Sequence, residues 1–193
     1  PAAPAEPLQH KENTMGLSNP RRVPRTVAAA AILVVIGIPV AWGAAALVTG
    51  ANLSDLQPAA ASAFDGASAK VTVVSHRDST TTVLRVHGVG ASAVGKTYGA
   101  HLHEGMCVAG DGSRAGGHYN HTKVLGDPIT ISAQTEVWLD VTIDETGDAT
   151  AVSHVPFAVV PGQRSVVIHA VATDPDTGLA GPRLACLPVE WTP

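Results

Sequence analysis

The chain has 193 residues, a net charge of −4 and only 15% charged side chains, which is enough for one ordinary domain plus an extra segment. From Asp55 onward it carries 14 acidic against 8 basic residues. That acidic balance argues against nucleic acid as a partner.

Residues 1–25 contain Pro, Ala, Glu and Asn without hydrophobic periodicity and end in Arg21, Arg22 and Arg25. They read as a disordered tail, within which Met15 offers an alternative start. Residues 26–54 hold no charged side chain and are rich in Ala, Val, Ile, Leu and Gly. About 20 such residues cross a bilayer as a helix, so one N-terminal hydrophobic helix is expected here. The arginines ahead of it place the N-terminus inside and everything after Ser54 outside. The segment is then a single-pass cell-membrane anchor, or a signal segment cleaved near Ala59-Ala60-Ala61 or Ala61-Ser62-Ala63 that leaves a secreted or periplasmic domain. Both readings export the same domain. In an oxidising compartment the two cysteines, Cys107 and Cys186, are expected to pair with each other.

Residues 55–68, with Pro58 and a run of Ala, Ser and Gly, are expected to be a linker. Residues 69–193 form the domain. Val- and Thr-rich strands are predicted over 70–75 and 81–89, and a further strand over 98–104. The stretch 105–126 is glycine-rich and irregular, and a loop of that length inside a domain is usually functional or disordered. Over 136–144, Val137, Leu139, Val141 and Ile143 alternate with Trp138, Asp140 and Thr142, the pattern of a half-buried strand. Glu145-Thr146-Gly147-Asp148 supplies a turn, and strands follow over 149–154, 164–171 and 184–189. No amphipathic helix period follows the apolar segment. The domain is therefore expected to be all-β, a sandwich or barrel.

His101 and His103 stand two apart on the strand over 98–104, so both leave the same face and could close on one metal ion. His118 stands in Gly116-Gly117-His118-Tyr119-Asn120, where paired glycines let the backbone pass close to a crowded site. His169 ends Ser165-Val166-Val167-Ile168-His169, a strand otherwise written for a core. A buried imidazole there needs a hydrogen bond or a metal to offset its cost.

These three stretches, together with Gly181-Pro182-Arg183-Leu184-Ala185-Cys186, resemble the copper/zinc superoxide dismutase family in the same order, over residues 71–190. The resemblance implies a Greek-key β-sandwich of the immunoglobulin-like, superoxide dismutase type. It makes His101, His103, His118 and His169 the copper ligands, His101 through Nδ1 and the others through Nε2. Four imidazoles suit Cu(II) in a tetragonal arrangement and still hold Cu(I) when one bond loosens. Cys107 and Cys186 match the family's disulfide, and Arg183 matches the residue that receives the superoxide anion. His118 matches the bridging imidazole that carries a proton, which makes Arg183 and His118 the expected catalytic residues. A lone arginine would otherwise read as solvated surface.

The pattern departs from the family at the second metal. His121 follows His118 by three residues, Lys123 falls near where another ligand would stand, and only Asp127 matches the family's aspartate. His121 and Asp127 are at most a zinc remnant, His121 reading rather as a solvated loop residue, and a copper-only site is expected. Asp174 and Asp176 would either orient ligand histidines from behind or serve the turn at Pro175. Fewer strands are visible before Gly99 than the family has, so an edge strand is expected to be missing, and the oligomeric state stays open. The expectation is an exported copper-dependent superoxide dismutase. Its alternative is a copper-binding or copper-handling protein on the same fold with little dismutase activity.

Overall fold

The computed structural model describes residues 45–191. The tail over 1–25 and the apolar residues 26–44 lie outside the described residues. In chain order the strands are β1 (Ala45–Asn52), β2 (Ser54–Asp55), β3 (Ser68–Ser75), β4 (Thr80–His87), β5 (Thr97–Tyr98) and β6 (Ala100–His103), followed by the short helix α1 (His121–Leu125). Then come β7 (Val141–Thr142), β8 (Ala149–Val155), β9 (Gly162–His169) and β10 (Arg183–Trp191). Two antiparallel four-stranded sheets, ordered β1-β3-β4-β8 and β2-β10-β9-β6, make an all-β sandwich, and β5 pairs separately with β7.

Period-two alternation builds the first sheet. Val71 and Val73 of β3 and Leu84 and Val86 of β4 turn inward, while Lys70 and Arg85 stay exposed. They share one core with Leu102, Val166, Ile168, Leu187 and Val189 from the second sheet. Each fully buried aliphatic side chain of this kind contributes about 1.5–3 kcal/mol. The second sheet is different, because every residue of β6 and every residue from 165 to 169 on β9 is buried. One face of those strands feeds the core. The other carries His101, His103 and His169 beneath the long connection between β6 and β7.

The segment over 45–68 overturns three expectations. β1 runs in full register along β3, from Ala45 opposite Ser75 to Asn52 opposite Ser68, and β2 pairs with β10. Residues 45–54 of the expected hydrophobic segment therefore belong to the sandwich, and the edge strand expected to be missing is supplied by β1. Residues 56–67 are no free linker: Leu56, Phe64 and Ala67 are buried, and Phe64 meets the Tyr98 ring edge-on at 5.0 Å between centroids. Both small-residue cleavage positions expected from sequence fall in this packed stretch, where the Ala63 carbonyl accepts from the Gly90 N–H. The cause of the misreading is compositional. Ala45–Asn52 is uncharged and mostly small, so it continues the apolar run before it, yet its Leu47 packs against the core.

Two smaller differences bear on the site. Inside the stretch read as irregular, α1 is capped by the Asn120 side chain, which accepts from the Lys123 N–H, and stops at Gly126 with φ 80°; that is the left-handed region glycine favours. Over 136–144 the buried alternation holds, but only β7 is regular strand. The rest is fastened to β6, Leu102 donating to the Val137 carbonyl and Leu139 to that of Ala100. Among the described residues no helix is long and apolar enough to cross a membrane.

Candidate metal centre

Four histidines converge on the outer face of the second sheet. β6 presents His101 and His103, β9 ends in His169, and the loop that crosses β6 delivers His118, which forms a bridge to His103. Each can offer a ring nitrogen such that all four atoms lie within 4.8 Å of one another. His101, His103 and His169 are buried, whereas the His118 side chain keeps 19% of its surface exposed. The cluster is thus closed by the sheet on one side and reached from the side of His118.

Hydrogen bonds to the far nitrogens decide where the protons sit. His103 donates from Nδ1 to the Gly116 carbonyl (3.2 Å) and His169 from Nδ1 to the Gly181 carbonyl (3.0 Å). His118 donates from Nδ1 to Glu136 Oε2 (2.8 Å). Those three rings leave Nε2 bare toward the cluster, and the Nε2 atoms of His103 and His169 stand 3.3 Å apart. His101 is turned the other way, its Nε2 bonded to Thr173 Oγ1 (2.8 Å). Its Nδ1 is buried without a hydrogen-bond partner among the described residues.

Lone pairs facing one another with no proton between them repel, and a buried acceptor without a donor is costly. Burial, helped by the charge of His118, pushes His101 and His103 down to about 2, and burial also lowers His169. At neutral pH these rings are neutral, the form in which imidazole binds a metal. The donor set fits a metal ion: four imidazoles about one point, Nδ1 of His101 an orphan and the other three rings each anchored through the opposite nitrogen.

Glu136 was not picked out by sequence reasoning, which placed it at the start of a half-buried strand. It is 3% exposed and accepts from Trp138 Nε1 (2.9 Å) and Asn120 Nδ2 (3.0 Å) as well as from His118. Burial raises its carboxyl, but the three side-chain hydrogen bonds outweigh this and hold it below the usual range. Its one sequence signal is a carboxylate at a position where the alternation turns toward the loop.

Arg183 lies opposite His169 in the sheet register. Its guanidinium donates to the Gly112 carbonyl and, at 2.5 Å, to the Gly116 carbonyl. The Gly116 carbonyl therefore serves a cluster histidine and the arginine together. The loop bearing these carbonyls is tied down by the Cys107–Cys186 disulfide, Cα atoms 5.6 Å apart. Beneath it Leu56, Ala115, Val167 and Cys186 form a second small core.

Other candidates lie elsewhere. His121 stacks on Phe157, ring centroids 4.3 Å apart, and Asp127 is exposed on the turn after α1. Neither joins the four histidines. Lys123 pairs with Glu104 (2.7 Å). Asp174 accepts from the N–H groups of Asp176 and Thr177, so these aspartates serve the turn at Pro175 and do not orient the histidines. That task falls to Glu136 and Thr173.

No family model matches the chain, and no curated protein matches it.

Proposed function

We propose that the chain is an exported copper-dependent superoxide dismutase of the copper/zinc superoxide dismutase family, its sandwich connected as a Greek key. The observation that carries this reading is the four-histidine cluster with a guanidinium fixed beside it. Four imidazoles are a donor set suited to copper. When bound, copper would supply the one-electron chemistry that oxidises one superoxide to dioxygen and reduces a second to hydrogen peroxide.

The chain's own residues do the rest. His101 would hold the metal through Nδ1, and His103, His118 and His169 through Nε2. Arg183 draws the anion toward the open side of the cluster, a focusing that matters more because the domain is acidic overall. Glu136 holds the Nδ1 proton of His118, the nitrogen that a zinc ion would need. The site is accordingly read as copper alone, and the two protons that peroxide requires come from solvent at the exposed edge of His118. Export is supported by the disulfide and by the uncharged residues 26–44 behind Arg21, Arg22 and Arg25. Those 19 residues are close to the span a bilayer needs, and they make the membrane, if the segment is uncleaved, the chain's other partner.

One observation favours a second reading, a copper-handling protein with little turnover: two of the Arg183 donors are spent on loop carbonyls. Superoxide consumption by the purified protein, loaded with copper alone and then with copper plus zinc, separates the two. Turnover with copper alone is expected. Copper uptake without turnover in either state selects copper handling, and turnover only with zinc overturns the copper-only site.

A further inference from the structure

Of the four cluster histidines, His101 alone has a hydroxyl behind it, and a hydroxyl can either donate or accept. The other three donate to carbonyl or carboxylate oxygens, which only accept. Which nitrogen of His101 carries the proton therefore depends on what the Thr173 hydroxyl does with its own proton. Asp140 decides that. Its carboxylate receives the Thr173 N–H on Oδ2 (2.8 Å), the Thr173 hydroxyl on Oδ1 (2.5 Å) and the Ala100 N–H on Oδ1 (3.3 Å). With its single proton given to Asp140, the hydroxyl can only accept from His101, at 2.8 Å from Nε2. The proton is then on Nε2, and the lone pair of the buried, unpartnered Nδ1 faces the cluster.

The backbone is shaped to keep Thr173 there. A Cβ at Gly99 would come within 2.5 Å of Ala180 Cβ and 2.8 Å of Thr173 Oγ1, so only glycine lets the loop after β9 lie this close to β6. Gly99 also donates to the Val171 carbonyl and accepts from the His169 N–H, each at 2.8 Å.

We propose that Thr173, oriented by Asp140, is a positioning residue that selects the Nε2–H tautomer of His101 and so prepares Nδ1 as a metal-binding atom before any metal arrives. The proposal rests on the metal-centre reading of the four histidines and is independent of superoxide chemistry.

The test uses the full chain with 15N-labelled histidine. Tautomers are read by NMR without metal, and affinity for Cu(II) is read by competition with a chelator. The wild-type chain is expected to show His101 as Nε2–H. Thr173→Val keeps the shape and removes the hydroxyl: His101 should then show both tautomers, and Cu(II) affinity should fall roughly 10- to 100-fold. Thr173→Ser should restore both readouts. In Asp140→Asn the amide NH2 should take the Oδ1 side, because the other oxygen receives the shorter backbone bond. The Thr173 hydroxyl then accepts from Asn and donates to Nε2, which moves the His101 proton to Nδ1 and points an N–H at the cluster. Thr173→Val with an unchanged tautomer and wild-type affinity overturns the proposal, as does a Thr173→Ser that fails to restore them. Should Thr173→Val not fold, Asp140→Asn decides in its place, and retention of Nε2–H there is equally fatal. A wild-type chain that takes up no Cu(II) overturns the metal-centre reading as well, whereas the variant outcomes overturn this proposal alone.

Discussion

At the scale of single residues, the centre depends on groups that touch no metal. Glu136 accepts from His118 and orients it from a site 3% exposed. Glu136→Gln would turn that charged acceptor into a weaker one and is expected to cost roughly 10- to 100-fold in copper affinity, measured by chelator competition. Arg183→Ala should leave copper in place while slowing superoxide consumption about tenfold or more at low ionic strength, with a flatter salt dependence, since steering is a screened long-range effect. Metal content and stopped-flow rates check the two halves separately, and loss of copper would show that the arginine acts through the Gly116 carbonyl it shares with His103. The sequence made His101 and His103 legible because spacing by two on a strand is a local signal. Glu136, Asp140 and Thr173 were not legible in these roles. The groups they orient lie 18 to 72 residues away, and along the chain they read as the polar side of a strand or as turn residues.

At the scale of elements, β6, β9 and the loop between β6 and β7 form one unit around the cluster. The disulfide joins that loop to β10 across a separation of 79 residues. Cys107→Ser with Cys186→Ser is expected to destabilise the protein by about 4 to 5 kcal/mol in the chain-entropy model, seen as a lower denaturation midpoint. The buried histidines set a second dependence. Their folded values lie below the ordinary histidine value, so the unfolded chain binds more protons as pH drops. The metal-free protein keeps their full contribution above about pH 6.5, and loses it steadily as pH falls toward about 2, where His101 and His103 take up protons in the folded state. The slope is roughly 1.4 kcal/mol per pH unit for each of the two, checked by urea titrations of metal-free protein at several pH values. Strands β3 and β4 were legible as Val- and Thr-rich runs, β9 as a Val/Ile run, and β8 as the return from the turn at Gly147. Helix α1 was not, since five residues are too few to display a helical period, although Asn120 and Gly126 marked its two ends.

For the whole molecule, the sandwich includes Ala45–Asp55 and does not start near residue 69. β1 closes the free side of β3, and β2 extends β10. A chain that starts at residue 69 should therefore fail to give a cooperative unfolding transition, while one that starts at residue 44 or earlier should give one; circular dichroism through a thermal ramp distinguishes them. The fold class was readable because strand periodicity and glycine turns recur along the domain. The boundary was not, because an uncharged edge strand and an uncharged apolar segment have the same composition, and only pairing with a distant strand tells them apart.

The packing of residues 45–68 also restricts how the protein can be processed. A peptidase cut at the alanine-rich positions over 59–63 would detach two strands along with the Leu56 side chain that lies under the disulfide loop. A maturation cut that spares the folded body must fall ahead of Ala45.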